Sequence, residues 1–240
     1  MADMLRRHFT GDDEDRESLL IRCVTKGIVQ KELLERTKLQ KRFEGLSDKE
    51  IFEQIRLDVL RGGYKLIDFE GTEDYKPGDN VVHIFAMGAL VEEAIKASDE
   101  LKKQGICANV IVVTSPDLLL GNFAHHNDYQ HLREGLGISG DMILEGEVQN
   151  EGDWYFLQGN RVPIVSVHDG EPGILDNIGS IVGTKHVTLA IRKTSKSGTT
   201  PDIFHYHGID AEGIAGAAVK ALESTAKERI QIGKSVLEKI

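Results

Sequence analysis

Residues 81–114 contain a strand, a helix and a second strand in direct succession. They read Val81-Val-His-Ile-Phe-Ala-Met-Gly-Ala-Leu-Val-Glu-Glu-Ala-Ile-Lys-Ala-Ser-Asp-Glu-Leu-Lys-Lys-Gln-Gly105 and then Ile106-Cys-Ala-Asn-Val-Ile-Val-Val-Thr114. The short apolar run Val81–Ala86 is typical of a strand buried on both faces. Apolar residues then recur at helical spacing as far as Gly105, where a C′ glycine is expected to end the helix. Val110–Val113 predicts a second strand, paired in parallel with the first through a right-handed crossover.

The alternation of strands and helices continues on both sides of this unit. Further strands are predicted at Tyr64–Phe69, Val162–Val167, Val187–Ile191 and Ile203–Tyr206, with a short helix at Ile174–Val182 and a last helix capped by Asp210. Together they predict an α/β fold, with five of these strands in a doubly wound, mostly parallel five-stranded sheet that carries an N-terminal helical connector.

The first sixty or so residues read differently from the rest of the chain. Leu19–Thr25 predicts a strand without a neighbouring strand close to it in sequence, so residues 1–30 are interpreted as the tail of a preceding domain. Residues 31–62 predict a helical connector, whose second helix opens on the capping box Ser47-Asp-Lys-Glu50. Residues 63–240 are interpreted as the main domain.

Composition argues against several classes of function. The formal net charge of −10 gives no electrostatic support to nucleic-acid binding, and no apolar run is long enough to span a bilayer. The N-terminal residues lack the apolar core of a signal peptide. Cys23 and Cys107 each lie inside an apolar run and are expected to be buried free thiols. We therefore expect a cytoplasmic protein without nucleic-acid or membrane partners.

Histidines are the most conspicuous candidates for chemistry. His125, His126 and His131 lie close in sequence, and His205 and His207 are predicted to share one face of the final strand. A metal site would need three or four converging ligands, and the sequence has no His-Glu-x-x-His or Cys-x-x-Cys spacing. Surface or interface contacts, a proton-handling role and metal binding stay open as alternatives.

Two loops follow predicted strands, at the positions where parallel sheets bind ligands. Lys193–Thr200 carries lysines, hydroxyls and a glycine that suit a phosphate or a carboxylate, although a solvated loop has the same composition. In His168–Gly173, Asp169 and Glu171 are either a carboxylate pair or favourable charges at a helix start. Neither a Walker A loop nor a Gly-x-Ser-x-Gly elbow is present.

Three segments, in this order and spacing, resemble the C-terminal domain of the transketolase family. Val82-His-Ile-Phe-Ala-Met-Gly-Ala-Leu-Val-Glu-Glu-Ala is similar to that domain's first strand, turn and helix, and Ile111-Val-Val-Thr-Ser-Pro-Asp117 is similar to its second strand and turn. Pro201-Asp-Ile-Phe-His-Tyr-His-Gly208 resembles its last strand. The resemblance extends from Gly63 to Leu222 and is nearest to the E1 components of 2-oxoacid dehydrogenase complexes, of the homodimeric pyruvate dehydrogenase type.

This resemblance implies thiamine diphosphate and Mg²⁺ in the complete enzyme, which would decarboxylate a 2-oxoacid. The family's diphosphate motif, Gly-Asp-Gly followed by a distant Asn, is not matched, because Asp169-Gly170 follows His168 and Asn177 comes too soon. We therefore expect this chain alone to bind no cofactor, and we assign it no catalytic residue and no metal ligand. In such enzymes the C-terminal domain builds the dimer and borders the active-site entrance.

Polar residues of the loops and strand ends are the candidates for entrance or interface contacts. They are His125, His126, His168, Lys193, Ser195, Ser197, His205 and His207. The first interpretation is a C-terminal portion or split subunit, inactive alone, that needs a partner with the thiamine diphosphate motifs in a homodimer or hetero-oligomer. The alternatives are a non-catalytic anion-binding regulatory module that uses the strand-end loops, and a pure assembly subunit.

Overall fold

Five strands form one sheet in the computed structural model, which describes residues 30–60, 62–119, 162–194 and 196–237. The strands are β1 Gly63–Ile67, β2 Val81–Met87, β3 Cys107–Val113, β4 Ile164–Val167 and β5 His186–Leu189. They lie in the order β1-β3-β2-β4-β5, and every neighbouring pair is parallel except β1 with β3. The predicted α/β fold with a mostly parallel five-stranded sheet is confirmed.

Helices cover both faces of this sheet. They are α1 Gln30–Lys38, α2 Asp48–Leu60, α3 Val91–Lys103, α4 Pro116–Leu119, α5 Ile178–Val182, α6 Thr200–His207 and α7 Ala211–Leu237. Helices α3 and α7 share one apolar cluster with the sheet, and α4 and α5 share a second cluster on its other side. The sheet is therefore doubly wound, as predicted. In the part of the chain that the structure describes, no helix combines the length and apolarity needed to cross a membrane.

The side chains of β2, the middle strand, alternate between the two apolar clusters. Val82, Ile84 and Ala86 belong to the cluster with α3 and α7, whereas Phe85 belongs to the cluster with α4 and α5. All four side chains are fully buried. Because burial of a large apolar side chain stabilises a fold by about 1.5–3 kcal/mol, this alternation fixes the register of β2 between the layers.

Gly105 ends α3 as the sequence predicts. Its φ of 79° is left-handed, its N–H donates to Lys102 O, and the N–H of Ile106 donates to Leu101 O, each over 3.0 Å. These two bonds are the Schellman pair, which satisfies carbonyls that a helix end would otherwise leave open. The chain then turns directly into β3, where Cys107 is buried as a free thiol, as predicted.

The two N-terminal helices lie against the edge strand β1. The predicted capping box at the start of α2 is confirmed: Ser47 N–H donates to Glu50 over 2.9 Å, and Glu50 N–H donates back to Ser47 Oγ over 3.4 Å. Arg36 of α1 forms a bidentate ion pair with Asp99 of α3, with N···O distances of 3.0 and 2.8 Å. The helices of residues 30–60 are thus attached to the sheet domain on its β1 side.

The segment predicted as the final strand is a helix, so the predicted strand at Ile203–Tyr206 was wrong. Thr199 caps α6 by accepting from Asp202 N–H, Pro201 lies in the first turn, and Gly208 ends the helix at φ 68°. A cap, an early proline and a terminal glycine are strong helix-boundary signals. They outweigh the strand propensity of the four apolar and aromatic residues between them.

Candidate functional site

The loops that follow β4 and β5 lie side by side at one edge of the sheet. His168 N–H donates to Leu189 O over 3.2 Å, and Ile191 N–H donates to Gly170 O over 3.1 Å. Both loops therefore leave the carboxyl ends of parallel strands, where open α/β sheets bind ligands. This edge is the candidate site, and helix α6 returns along it after the β5 loop.

His168 lies beneath this edge rather than on its surface. Its side chain is fully buried, and its Nδ1 accepts a hydrogen bond of 3.2 Å from Gly170 N–H. Because Nδ1 accepts, a neutral ring carries its proton on Nε2. His168 thus stabilises the turn after β4. Its role as an entrance or interface contact stays a prediction.

The β5 loop carries two lysines that meet the aromatic ring of α6. Lys193 Nζ lies 5.0 Å and Lys196 Nζ 4.3 Å from the centroid of the Tyr206 ring. Lys193 Nζ also donates to Tyr206 O over 3.1 Å. Cations near an aromatic face are attracted by the ring quadrupole. The two ammonium groups therefore place positive charge at the candidate site. Ser197, in the same loop, is exposed.

His205 and His207 do not share a face, because they lie two residues apart on a helix and not on a strand. His205 is exposed, and its Nδ1 lies 2.8 Å from Asp210 Oδ2. That hydrogen bond is the main cause that raises the pKa of His205. His207 is half-buried and meets the Tyr206 ring edge-on, with centroids 4.9 Å apart.

One cluster beside α6 has the donor types of a metal site. One ligand atom each from His205, Asp210 and Glu212 lies within 4.8 Å of the others. Asp210 already has two tasks, since it pairs with His205 and its Oδ1 accepts from Gly213 N–H over 3.0 Å to cap α7. The predicted Asp210 cap is confirmed, and it accounts for this geometry without an ion.

A serine–histidine pair, which the sequence did not suggest, lies on the sheet face that α5 covers. His186 Nε2 is 2.8 Å from Ser166 Oγ, and His186 Nδ1 accepts from Gly179 N–H over 3.3 Å. Burial lowers the pKa of His186, so the neutral ring donates from Nε2 to the serine. A donating histidine cannot remove the serine proton, and Ser166 is fully buried. The pair is structural and not a nucleophile with its base.

His83 is a second histidine that sequence reasoning missed. It is 4% exposed in the middle of β2, and within the described residues its Nδ1 has no hydrogen-bond partner. Burial, aided by the positive charge of Lys65, lowers the pKa of His83 to about 3. The period-2 spacing of His83 and Phe85 was the available signal, because it places both on the same face of the strand.

The predicted site residues therefore separate into groups. The structure brings Lys193 close to α6, which carries His205 and His207, and it places His168 in the buried turn beneath the neighbouring loop. His125, His126 and Ser195 lie outside the described residues. Lys196, which is exposed, and Tyr206, which is half-buried, complete the group around α6. Because residues 200–207 form a helix, Tyr206 lies against the two lysines.

Comparison with known proteins identifies one family. A family model described as the transketolase-like TK C-terminal domain matches residues 62–210. A transketolase mutant from Pichia stipitis in complex with xylulose 5-phosphate is 20% identical, with a TM-score of 0.43, over 71% of this chain and 19% of that one. The Leishmania mexicana transketolase is 15% identical, with a TM-score of 0.43, over 70% and 19%.

A split-gene transketolase, solved as an inactive β4 tetramer, is also similar. It is 17% identical, with a TM-score of 0.41, over 68% of this chain and 43% of that one. The chain thus spans about a fifth of the Pichia stipitis and Leishmania mexicana transketolases. No curated protein matches the sequence.

Proposed function

This chain belongs to the family of transketolase-like C-terminal domains, and from that premise we propose its function. It is the C-terminal portion, or a split subunit, of a thiamine diphosphate-dependent 2-oxoacid dehydrogenase E1 component that acts on pyruvate. The observation that carries the proposal is the family match over residues 62–210, which takes in all five strands and α6. Within that family, the E1 type is the nearest resemblance of the sequence, and we propose it on that basis.

The described residues do not fit a bound thiamine diphosphate. The Asp169-Gly170 pair follows His168 and not a glycine, and the Gly170 N–H is engaged by His168 Nδ1. Asn177 stands at the start of α5, too near to act as the distant asparagine of the family motif. We therefore assign the cofactor and its Mg²⁺ to the partner domains or subunit, and we route no chemical step through this chain.

The contribution of this chain is assembly and the border of the active-site entrance. Three large apolar side chains of the N-terminal helices and the turn between them, Leu39, Phe52 and Leu57, are 85%, 53% and 46% exposed. Exposed apolar groups of this size favour burial against a partner, as a homodimer or a hetero-oligomer. The polar residues Lys193, Ser197 and His205 are exposed around the carboxyl edge of the sheet, where we place the entrance.

The state of Cys107 bears on the subcellular location of the protein. The thiol of Cys107 is free and buried, which agrees with a reducing compartment. We propose that the assembled enzyme is cytoplasmic.

An activity assay on this chain, with and without its partner, tests the proposal. Pyruvate decarboxylation is followed in the presence of thiamine diphosphate and Mg²⁺. The purified chain alone is expected to show no turnover, and a mixture with the partner that carries the cofactor motifs is expected to be active. Turnover by the chain alone contradicts the proposal. A mixture active on a ketose phosphate and not on pyruvate retains the family and overturns the E1 assignment.

A further inference from the structure

Two ammonium groups share one aromatic ring at the exposed edge of the sheet. Tyr206 with Lys193 and Lys196 is called the Tyr206 platform below. The Nζ atoms lie 5.0 and 4.3 Å from the ring centroid, and both lysines are exposed. Both positive charges therefore lie within 5.0 Å of one ring, and an anion at the platform interacts favourably with both.

No carboxylate in the described ranges forms an ion pair with either lysine of the platform. This contrasts with much of the described surface, where lysine ammonium groups are paired with aspartate or glutamate. The paired lysines are Lys38, Lys65, Lys96, Lys102, Lys103 and Lys227. In a chain whose formal net charge is −10, these two neighbouring cations have no ion-pair partner among the described residues, although Asp202, Asp210 and Glu212 lie near His205 of α6. Cations that lack an ion-pair partner are available to anions from solution.

The framework around the platform is fixed. The β5 loop is tied at its start by the Ile191 N–H···O Gly170 bond, and α6 is bounded by the Thr199 cap and Gly208. Lys193 Nζ donates to Tyr206 O in the last turn of α6, where the helix dipole favours a cation. The ring and one ammonium group are thus held in place before a ligand arrives.

We propose that the Tyr206 platform binds a small phosphate-bearing ligand. A phosphate monoester carries nearly two negative charges at neutral pH and several acceptor oxygens, which match two lysines better than a single carboxylate does. Lysine binds phosphate as a flexible point charge, so the exposed Lys196 side chain can turn toward a phosphate that also contacts the fixed ammonium group of Lys193. The site goes beyond the proposed function, since neither assembly nor an entrance requires it.

Inorganic phosphate is the probe for this site. It is titrated into the full chain at pH 7.5 and constant ionic strength, and amide shifts are followed in ¹H–¹⁵N NMR spectra. Saturable shifts are expected in residues 191–208, with affinity on the order of 1 mM because the site is exposed. Pyruvate at the same concentrations, as a singly charged carboxylate, is expected to bind at least several-fold more weakly.

Three variants locate the binding. The double substitution Lys193→Ala with Lys196→Ala is expected to weaken phosphate binding by about tenfold or more. Tyr206→Leu, which keeps the lysines and removes the ring, is expected to weaken it a few-fold. Lys220→Ala, on the exposed side of α7, is the matched control and should leave binding unchanged. Circular dichroism confirms folding, and the single Lys196→Ala variant replaces the double one if that spectrum changes.

Each outcome decides the proposal. Saturable shifts at 191–208 that the lysine substitutions abolish support it. Shifts that do not saturate, that appear elsewhere, or that survive the lysine substitutions overturn it. Equal affinity for pyruvate and phosphate overturns the assignment of the ligand as a phosphate.

Discussion

His83 and Asn109 face each other in register across the parallel strands β2 and β3, and both are buried. The Asn109 side chain is engaged by other groups: its Oδ1 accepts from Phe69 N–H over 2.9 Å, and its Nδ2 donates to Tyr75 Oη over 3.4 Å. His83 is therefore a neutral imidazole inside the sheet, between a satisfied amide on one side and Ile164 on the other. Protonation of His83 would place a positive charge at this buried position.

The pH dependence of stability follows from His83. Burial lowers its pKa from 6.5 to about 3, so the unfolded chain binds a proton that the folded chain does not. The contribution of His83 to the free energy of unfolding is therefore fully present above its unfolded pKa, and it decreases as the pH falls from about 6.5 toward 3. His83 alone is expected to remove about 2 kcal/mol of unfolding free energy between pH 7.5 and pH 5.

Urea unfolding of the variant His83→Leu checks this expectation. The variant should lose about 2 kcal/mol less than the wild type between pH 7.5 and pH 5. Ile84→Leu, at the next position of β2 and without a titrating group, is the control and should keep the wild-type pH dependence. Equal pH dependence in wild type and His83→Leu would show that His83 does not stay neutral in the fold.

His205 is expected to titrate in the opposite direction from His83. Its hydrogen bond to Asp210 raises its pKa, so the pair stabilises the fold fully below the unfolded pKa near 6.5 and loses its effect as the pH rises through the raised value. Asp210→Asn removes the charge and keeps an N-cap, because asparagine caps as well as aspartate. The pKa of His205 in an NMR titration should fall in this variant, and an unchanged value would refute the pairing.

Gly179 should not tolerate even one methyl group. A Cβ there would lie 2.3 Å from His186 Cβ, which is backbone-anchored and cannot swing away. Gly179→Ala is therefore expected to destabilise the fold by about 1–3 kcal/mol, although alanine favours helices more than glycine does.

Gly216 in α7 is the matched control for Gly179. Among the described residues, nothing beyond its chain neighbours and the nearby backbone of its own helix lies within 4 Å of a Cβ placed there, so Gly216→Ala should stabilise the fold by about 0.5–1 kcal/mol through helix propensity alone. Thermal unfolding of both variants provides the comparison. A stabilising Gly179→Ala would contradict the packing of α5 against β5.

The core of the fold was predictable because its signals are local and periodic. The β2–α3–β3 unit, the Gly105 end of α3 and the Ser47 capping box each depend on residues within a few positions of one another. Periodicity and helix-boundary signals predict different structures at Ile203–Tyr206, where a short apolar run suggests a strand while Thr199, Pro201 and Gly208 bound a helix. In a run this short the end signals are the better guide.

The site was less predictable because its contacts join distant parts of the chain. Nothing near Ser166 in sequence indicates His186, and their meeting depends on the pairing of β4 with β5. The sequence predicts a polar loop at Lys193–Thr200 and a strand at Ile203–Tyr206, and a strand gives no reason to place the Tyr206 ring against the lysines. His83 reads as an ordinary member of an apolar run until its neighbours on the sheet are known.

Identification of what co-purifies with a tagged form of this chain from its native cells tests the central claim most directly. Mass spectrometry of the purified complex should find a partner, or a longer form of the same polypeptide, that carries Gly-Asp-Gly and its distant asparagine, together with bound thiamine diphosphate. That result places the chain in a thiamine enzyme, as proposed. A chain that purifies alone or only with copies of itself, without thiamine diphosphate, would contradict the account.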